Sequence, residues 1–249
     1  TPGINFDAFP KAAPRPFFRG VGSSNQGAGG DPSSVAFLDG VYLARAAMLG
    51  IDFYDMERIE VLKGPQGTLW GKNVVAGSVN FITAKPTDKG EASAQLTFGE
   101  YGQRNGNLML NVPIADGVAT RIVLGAVTND GFRRTLTGKP LDDENKVSGR
   151  IALRADLGAS TKLLVSADVA DQDLGENSRY NVIVNPFTPG VGYADYKHPR
   201  YANPDRPGFT KSRTGGARAE LTTDALGFAT WTTVAAWRTL NYDFNSDLD

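Results

Sequence analysis

The chain has 249 residues, a length that suits one large domain or two modest ones. Its 26 Lys and Arg residues nearly balance its 27 Asp and Glu residues, so there is no electrostatic case for nucleic-acid binding, which needs a basic surface. The chain has no cysteine, which excludes disulfides, thiolate catalysis and zinc–thiolate sites.

The composition favours a β-rich protein. No apolar run approaches the roughly 18 residues that a membrane-spanning helix needs. The opening residues, TPGINFDAFP, have neither the charged region nor the apolar region of a signal peptide, and we expect an upstream part of the protein to precede them. The chain has 29 glycines, and 10% of its residues are aromatic, while amphipathic helical patterns are scarce.

The first part of the chain, to about residue 86, has an irregular pattern. Short apolar segments such as VAFLDGVYL and RIEVLKG alternate with glycine-rich loops such as GVGSSNQGAGGDPSS. A short helix is predicted over IDFYDMERIE, where Asp52 could cap the N-terminus. The segment AKPTDKGE has the Pro and Gly residues that are typical of a linker.

Within this part, KGPQGTLWGKN (63–73) has the glycines and the lysine of a phosphate-binding loop but not their spacing. Three residues rather than four separate Gly67 from Gly71, and Asn73 follows Lys72 where a hydroxyl side chain is required. A strand pattern, GSVNFIT, comes next, whereas a phosphate loop leads into a helix. A nucleotide site is therefore not predicted.

From about Ala92 the chain alternates with a period of two, as strands with two unlike faces do. In ASAQLTF, for example, Ala94, Leu96 and Phe98 share one face. The same alternation occurs in NGNLMLNV, VSGRIALRADL, KLLVSADV and GGARAEL, and FATWTTVAAWRTLNY is predicted as a strand from its β-branched and aromatic content.

Two architectures fit this alternation: a soluble antiparallel sandwich with one wet face, and a transmembrane barrel with lipid outside and a polar lumen. Short and long connections alternate along the chain, and this alternation favours the barrel. The short connection EYGQ is an exception to the pattern. Charged residues on the polar faces would be costly against lipid and acceptable in a lumen: Arg150, Arg154, Lys162, Asp168, Arg218 and Glu220. Aromatic residues near strand ends could form interfacial girdles: Phe98, Tyr101, Phe132, Phe228 and Trp231.

Three segments now carry a family resemblance: RGVG (19–22), VAFLDGVYL (35–43) and DMERIEVLKGPQGTLWGKNVVAGSVNFITAKP (55–86) resemble the plug domain of TonB-dependent outer-membrane transporters. The resemblance implies a mainly β protein with an α+β plug. Residues 1–86 would form a globular plug domain, N-terminally incomplete, and residues 87–249 would form the first seven or so strands of a transmembrane antiparallel β-barrel. Glycines of the plug motifs would serve turns and close packing: Gly20, Gly40, Gly64, Gly71 and Gly77.

The function that the resemblance implies is active uptake of a scarce ligand across the bacterial outer membrane, with a ferric siderophore as the default cargo. The inner-membrane partner TonB would deliver the work by pulling an N-terminal plug segment, and membrane lipid and lipopolysaccharide would surround the barrel. An outer-membrane receptor or structural protein that retains a plug without transporting is the alternative. No nucleophile–base pair, cofactor or metal site is predicted, and the acidic run at residues 142–144 is interpreted as solvated.

By resemblance, apical plug loops would contact the ligand, and the candidate residues there are Lys11, Ser23, Ser24, Asn25, Gln26 and Arg45. Basic side chains in the plug motifs are candidates for an ionic lock to barrel glutamates that we expect beyond Asp249: Arg19, Arg58 and Lys63. A salt bridge inside the plug with Glu57 or Glu60 is the open alternative.

Overall fold

The computed structural model describes residues 2–7, 11–22, 32–50, 54–65, 67, 74–135, 138–175, 201–202, 208–225 and 227–246. Its early strands are β1 (Ile4–Asp7), β2 (Arg15–Phe18), β3 (Ser34–Leu38), β4 (Val41–Leu43), β5 (Met56–Lys63) and β6 (Gly77–Thr83), with a 3-10 helix at Ala46–Leu49. Later strands are β7 (Glu91–Phe98), β8 (Arg104–Ala115), β9 (Val118–Asn129), β10 (Arg133–Thr135), β11 (Pro140–Leu141), β12 (Glu144–Asp156), β13 (Thr161–Gly175), β14 (Tyr201–Ala202), β15 (Phe209–Thr223) and β16 (Trp231–Asn245). In these ranges no helix is long and apolar enough to cross a membrane.

The early strands build a small globular unit around a four-stranded sheet of order β4-β3-β6-β5. Strand β6 is central, since it pairs parallel with β3 and antiparallel with β5. Its residues GSVNFIT are almost all buried, as expected for a strand covered on both faces. The apolar core includes Phe18 from β2 and Leu49 from the 3-10 helix, which pack with Val79 and Phe81 of β6.

The β3–β4 hairpin turns at Asp39 and Gly40, whose φ angles of 49° and 78° are both positive. Such a pair is typical of the tight hairpin turn that follows the right-handed twist of the strands. The Asp39 carboxylate also accepts hydrogen bonds from the Thr83 backbone N–H (2.8 Å) and hydroxyl (2.9 Å). The turn is therefore tied to the end of β6.

The helix predicted over residues 51–60 is wrong where the structure describes it. Residues 51–53, including the proposed cap Asp52, lie outside the described part, but Met56–Lys63 forms strand β5. Asp55 has a φ of 64°, which a right-handed helix does not allow. The β-branched residues of RIEVLK pair with β6. This pairing with a distant strand, rather than the local helical periodicity, determines the secondary structure of the segment.

The later strands form a seven-stranded sheet of order β16-β15-β13-β12-β9-β8-β7, in which every neighbouring pair is antiparallel. This sheet is here called the wall, and the globular unit of the early strands β1–β6 is called the plug. The predicted number of about seven barrel strands is thereby confirmed. Strand β9 is the member that the sequence analysis did not single out.

The two faces of this sheet follow the predicted alternation. Ala94 lies opposite Leu108, Leu108 opposite Leu124, and Ile151 opposite Ala167, so the apolar residues share one face. That face is open, with Leu96 72% and Trp237 66% exposed. The opposite face is polar and includes Arg150, Arg154, Asp168, Arg218 and Glu220, as the alternation predicted.

The connections differ between the two ends of the strands. At one end, here called the short-turn end, strands are joined by residues 116–117, 157–160 and 224–230. At the other, the long-loop end, the connections are residues 99–103, 130–143 and 176–208, and the small strands β10, β11 and β14 lie there. The predicted aromatic residues Phe98 and Phe228 are 75% and 85% exposed near opposite ends.

Candidate functional site

A cavity of about 210 Å³ lies between the plug and the polar face of the wall, toward the long-loop end. Lys11 and Gly50 line it from the plug, and Lys146, Ser148 and Gln172 line it from the wall. The Gln172 side-chain amide donates a hydrogen bond to the Gly50 carbonyl and closes one side. The volume is below the 300–1,000 Å³ that is typical of small-molecule sites, so the described residues do not by themselves form a cavity of that size.

Charge at this cavity is mixed. Lys11 Nζ lies 3.3 Å from Asp142 Oδ1, and Lys146 Nζ lies 3.3 Å from Glu144 Oε1. The Asp142 side chain is only 4% exposed. Burial raises the pKa of the neighbouring Asp143 carboxyl. The negative charges of Asp173 and Asp142 raise this pKa further, whereas the positive charge of Lys11 lowers it. The interpretation of this acidic run as solvated is therefore wrong for Asp142, because a plug lysine covers it.

Of the six predicted ligand-contacting residues, Lys11 lines this cavity. Arg45 lies on the exposed surface just before the 3-10 helix, and its carbonyl accepts a hydrogen bond from the Met48 N–H. The other four, Ser23, Ser24, Asn25 and Gln26, lie outside the described residues, as does the turn glycine Gly71.

The candidates for the ionic lock all have contacts within the plug. Arg58 pairs with Glu57 and, at 2.7 Å, with Glu60, and this hydrogen bond lowers the pKa of the Glu60 carboxyl. Lys63 Nζ donates to the Pro2 carbonyl over 2.6 Å. The exposed Arg19 has a φ of 52°, and its backbone N–H donates to the Gly3 carbonyl. A lock from these side chains to barrel glutamates stays a prediction.

A different charge cluster, here called the Asp55 anchor, joins the plug to the wall. Arg121 of β9 binds both carboxylate oxygens of Asp55, with an Nε–Oδ2 distance of 2.8 Å. Arg150 of β12 adds a third hydrogen bond from Nη2 to Oδ2 over 2.7 Å. All three side chains are nearly buried, with 8%, 8% and 12% exposure for Asp55, Arg121 and Arg150.

A second set of contacts fastens the linker after β6 near the short-turn end. The buried Asn111 side chain of β8 accepts from the Thr87 N–H and donates to the carbonyls of Thr87 and Lys89. Arg154 of β12 donates to the Pro86 carbonyl (3.3 Å) and to the Asp88 carboxylate. The linker is therefore held along the wall at several consecutive residues.

Sequence reasoning missed most of these plug–wall residues. Arg150 and Arg154 were recognised as lumen-facing, but Arg121 lies on the strand that was not singled out. A signal existed, since VATRIVLG has one charged residue at an inward-facing position of an otherwise apolar segment. Asp55 was included only as the first residue of the plug motif.

An antiparallel sheet with an open apolar face and a polar face packed on a globular plug defines the class: a transmembrane β-barrel wall with a luminal plug. Residues 1–78 match the family model "TonB-dependent Receptor Plug Domain". The catecholate siderophore receptor Fiu of Escherichia coli K12 is 33% identical over 106 residues, which cover 42% of this chain and 14% of Fiu. The ferripyoverdine receptor of Pseudomonas aeruginosa PAO1 is 28% identical over 176 residues, covering 70% of this chain and 20% of the receptor.

Among solved structures, the ferric yersiniabactin uptake receptor FyuA from Yersinia pestis has a TM-score of 0.82 at 20% identity, covering 98% of this chain and 37% of FyuA. The chain thus spans between 14% and 37% of the length of these three proteins. Residues 1–78 thus match the plug domain of TonB-dependent outer-membrane receptors, and the relatives named above are receptors rather than enzymes. The location of the protein is the bacterial outer membrane.

Proposed function

We propose that the protein takes up a scarce ligand across the outer membrane in a TonB-dependent cycle. In this proposal residues 1–86 are the plug and residues 87–249 are part of the surrounding wall. The observation that carries the proposal is the buried contact between the two, in which Asp55 of the plug binds Arg121 and Arg150 of the wall. A plug that is fastened inside a membrane wall obstructs passive flow, so passage needs the plug to move.

The energy for that movement would come from TonB, because the outer membrane has neither ATP nor a sustained ion gradient. The ligand must bind the two plug states with different affinities, since a ligand with equal affinity for both shifts neither population. The cavity between Lys11 and Gln172 supports a route for this coupling, because a ligand there would touch plug and wall together. The open apolar face of the wall supports contact with lipid and lipopolysaccharide.

For the cargo we propose a ferric siderophore. The names of the relatives support this class: Fiu is a catecholate siderophore receptor, and the Pseudomonas relative is a ferripyoverdine receptor. The cavity is lined by the amide of Gln172 and by two ammonium groups, Lys11 and Lys146, which also pair with Asp142 and Glu144. Cationic and neutral donors of this kind suit the oxygen-rich, often anionic surface of an iron chelate.

The test is uptake of ⁵⁵Fe by cells that express the complete protein as their sole siderophore receptor. The probes are ⁵⁵Fe-loaded catecholate, hydroxamate and peptidic siderophores, each measured with and without TonB. We expect at least one chelate to accumulate only when both proteins are present. Saturable binding of a chelate to cells with no TonB-dependent accumulation would instead favour the receptor without transport.

A further inference from the structure

The Asp55 anchor has more bonds than an ordinary ion pair. Besides the three bonds to its carboxylate, the Asp55 carbonyl accepts from Arg150 Nη2 (3.2 Å) and from the Ala84 N–H (3.1 Å). Ala84 directly follows β6, so Asp55 joins the start of β5 to the end of β6 and connects both to the wall. One wall arginine therefore reaches two strands of the plug sheet through a single residue.

The backbone conformation at Asp55 makes this geometry specific. Its φ of 64° lies in the left-handed region, which Asp and Asn adopt more readily than most residues and which β-branched residues avoid. This turn places the carboxylate between the two guanidinium groups. The residue is therefore suited to the position by its charge and by its backbone preference, and an Asn substitution separates the two properties.

The position in the wall is also distinctive. Arg121 and Arg150 lie on adjacent strands, because β9 pairs with β12 and Arg150 lies opposite Val123, two residues from Arg121. The linker provides a second carboxylate, Asp88, which binds Arg154 of the wall. By contrast with Asp55, the Asp88 side chain is 66% exposed. Solvent screens that pair, whereas the buried anchor is screened little, so the two contacts differ in strength although both join a plug-side Asp to a wall Arg.

We propose that Asp55 is the positioning residue that seats the plug in the barrel, holding the β5–β6 side of its sheet to strands β9 and β12 and so setting the resistance of the lumen to opening. The polarity is opposite to that of the predicted lock: here the wall supplies the cations and the plug supplies the carboxylate. The inference rests on the proposed function only in treating the lumen as the route of passage.

The experiment measures opening of the complete protein in a planar lipid bilayer as urea is raised, with conductance as the readout. We expect Asp55→Asn, which keeps the shape and backbone preference, to lower the urea midpoint by about 1–3 M, because two buried arginines lose the carboxylate that both of them bind. Asp88→Asn is the matched control, and its midpoint should stay within about 0.5 M of wild type, since exposed pairs contribute little.

Two further variants distinguish the loss of the anchor from a general folding defect. Arg150→Lys keeps the charge but loses the planar, two-contact geometry, and it should lower the midpoint by less than Asp55→Asn does. Adding Arg150→Gln to Asp55→Asn removes one uncompensated cation and should recover part of the loss. The proposal is overturned if Asp55→Asn opens at the wild-type midpoint, or if Asp88→Asn shifts the midpoint as much.

The same variants can be assayed in cells by sensitivity to vancomycin, which is too large to enter through an intact plugged barrel. Asp55→Asn should raise sensitivity and Asp88→Asn should not, and equal sensitivity of the two would count against the anchor. Neither assay uses TonB or a chelate. If Asp55→Asn lowers the urea midpoint but the complete protein takes up no ⁵⁵Fe, the proposal for the anchor stands and the proposed uptake function fails. If ⁵⁵Fe is taken up but Asp55→Asn leaves the midpoint unchanged, the uptake function stands and the proposal for the anchor fails.

Discussion

Replacing Gly77 by alanine should open the plug sheet locally, and the structure allows the cost to be separated into two parts. Gly77 begins β6 with a φ of 153°, a region that alanine rarely adopts. A Cβ there would lie 2.5 Å from the Leu62 carbonyl oxygen and 2.9 Å from two ring carbons of Phe18. The backbone strain costs about 1–3 kcal/mol and the overpacking about as much again, so we expect a loss of about 2–6 kcal/mol.

Two other glycines serve as matched controls. Gly64 has a φ of 91°, but a Cβ on this residue would have no neighbour within 4 Å, so Gly64→Ala should show the backbone cost alone, about 1–3 kcal/mol. Gly90 has its nearest neighbour 4.0 Å away and no unusual φ, so Gly90→Ala should change stability by less than about 1 kcal/mol.

The assay is amide hydrogen exchange of the complete protein in detergent micelles, followed by mass spectrometry on peptides from β5 and β6. In the regime where exchange reports the opening equilibrium, each 1.4 kcal/mol corresponds to about a tenfold faster exchange. If Gly77→Ala exchanged no faster than Gly64→Ala, the close packing of β5, β6 and Phe18 around Gly77 would be refuted.

Three other outcomes are expected. Asn111→Ala should expose the linker to trypsin after Lys89, measured as faster cleavage in native micelles, since each orphaned polar group costs about 1–3 kcal/mol. Because burial raises the pKa of the Asp143 carboxyl, its protonated form stabilises the fold below the ordinary value of 3.8 and that contribution is lost as the pH rises through the raised pKa. Asp143→Asn, which stays neutral, should increase amide protection nearby at neutral pH and change little at acidic pH. Ile151→Arg on the lipid face should cost about 2–4 kcal/mol in folding into vesicles, whereas Leu157→Arg near the strand end should cost about 0–1 kcal/mol.

The wall could be predicted from sequence because its signal is local. A strand in a barrel wall faces lipid on one side and the lumen on the other, so residues such as Leu96 and Phe98 alternate with polar neighbours within a single segment. The pairing register then preserves these faces, as the opposition of Ile151 and Ala167 shows. Strand β6 was recognised for a related reason, because the family motif and the apolar run GSVNFIT coincide.

The secondary structure of β5 was not predictable in the same way. IDFYDMERIE has apolar residues at spacings that fit a helix, and an acidic residue stands where a cap would. The competing strand is selected by β6, which pairs with seven residues of β5 and follows it by more than a dozen residues in sequence. The local pattern contains no information about that partner, so the choice depended on a long-range contact.

The anchor was hidden from sequence analysis for an electrostatic reason as well. The near balance of 26 basic and 27 acidic residues suggests no charge segregation. The polar face of the wall nevertheless presents Arg121, Arg150 and Arg154 to the plug and linker. These arginines pair with Asp55 of the plug and Asp88 of the linker. Complementary charges on two surfaces cancel in the sum over the chain. A whole-chain charge therefore excludes a uniformly basic protein but says nothing about an internal interface, and it is this interface that holds the plug in place.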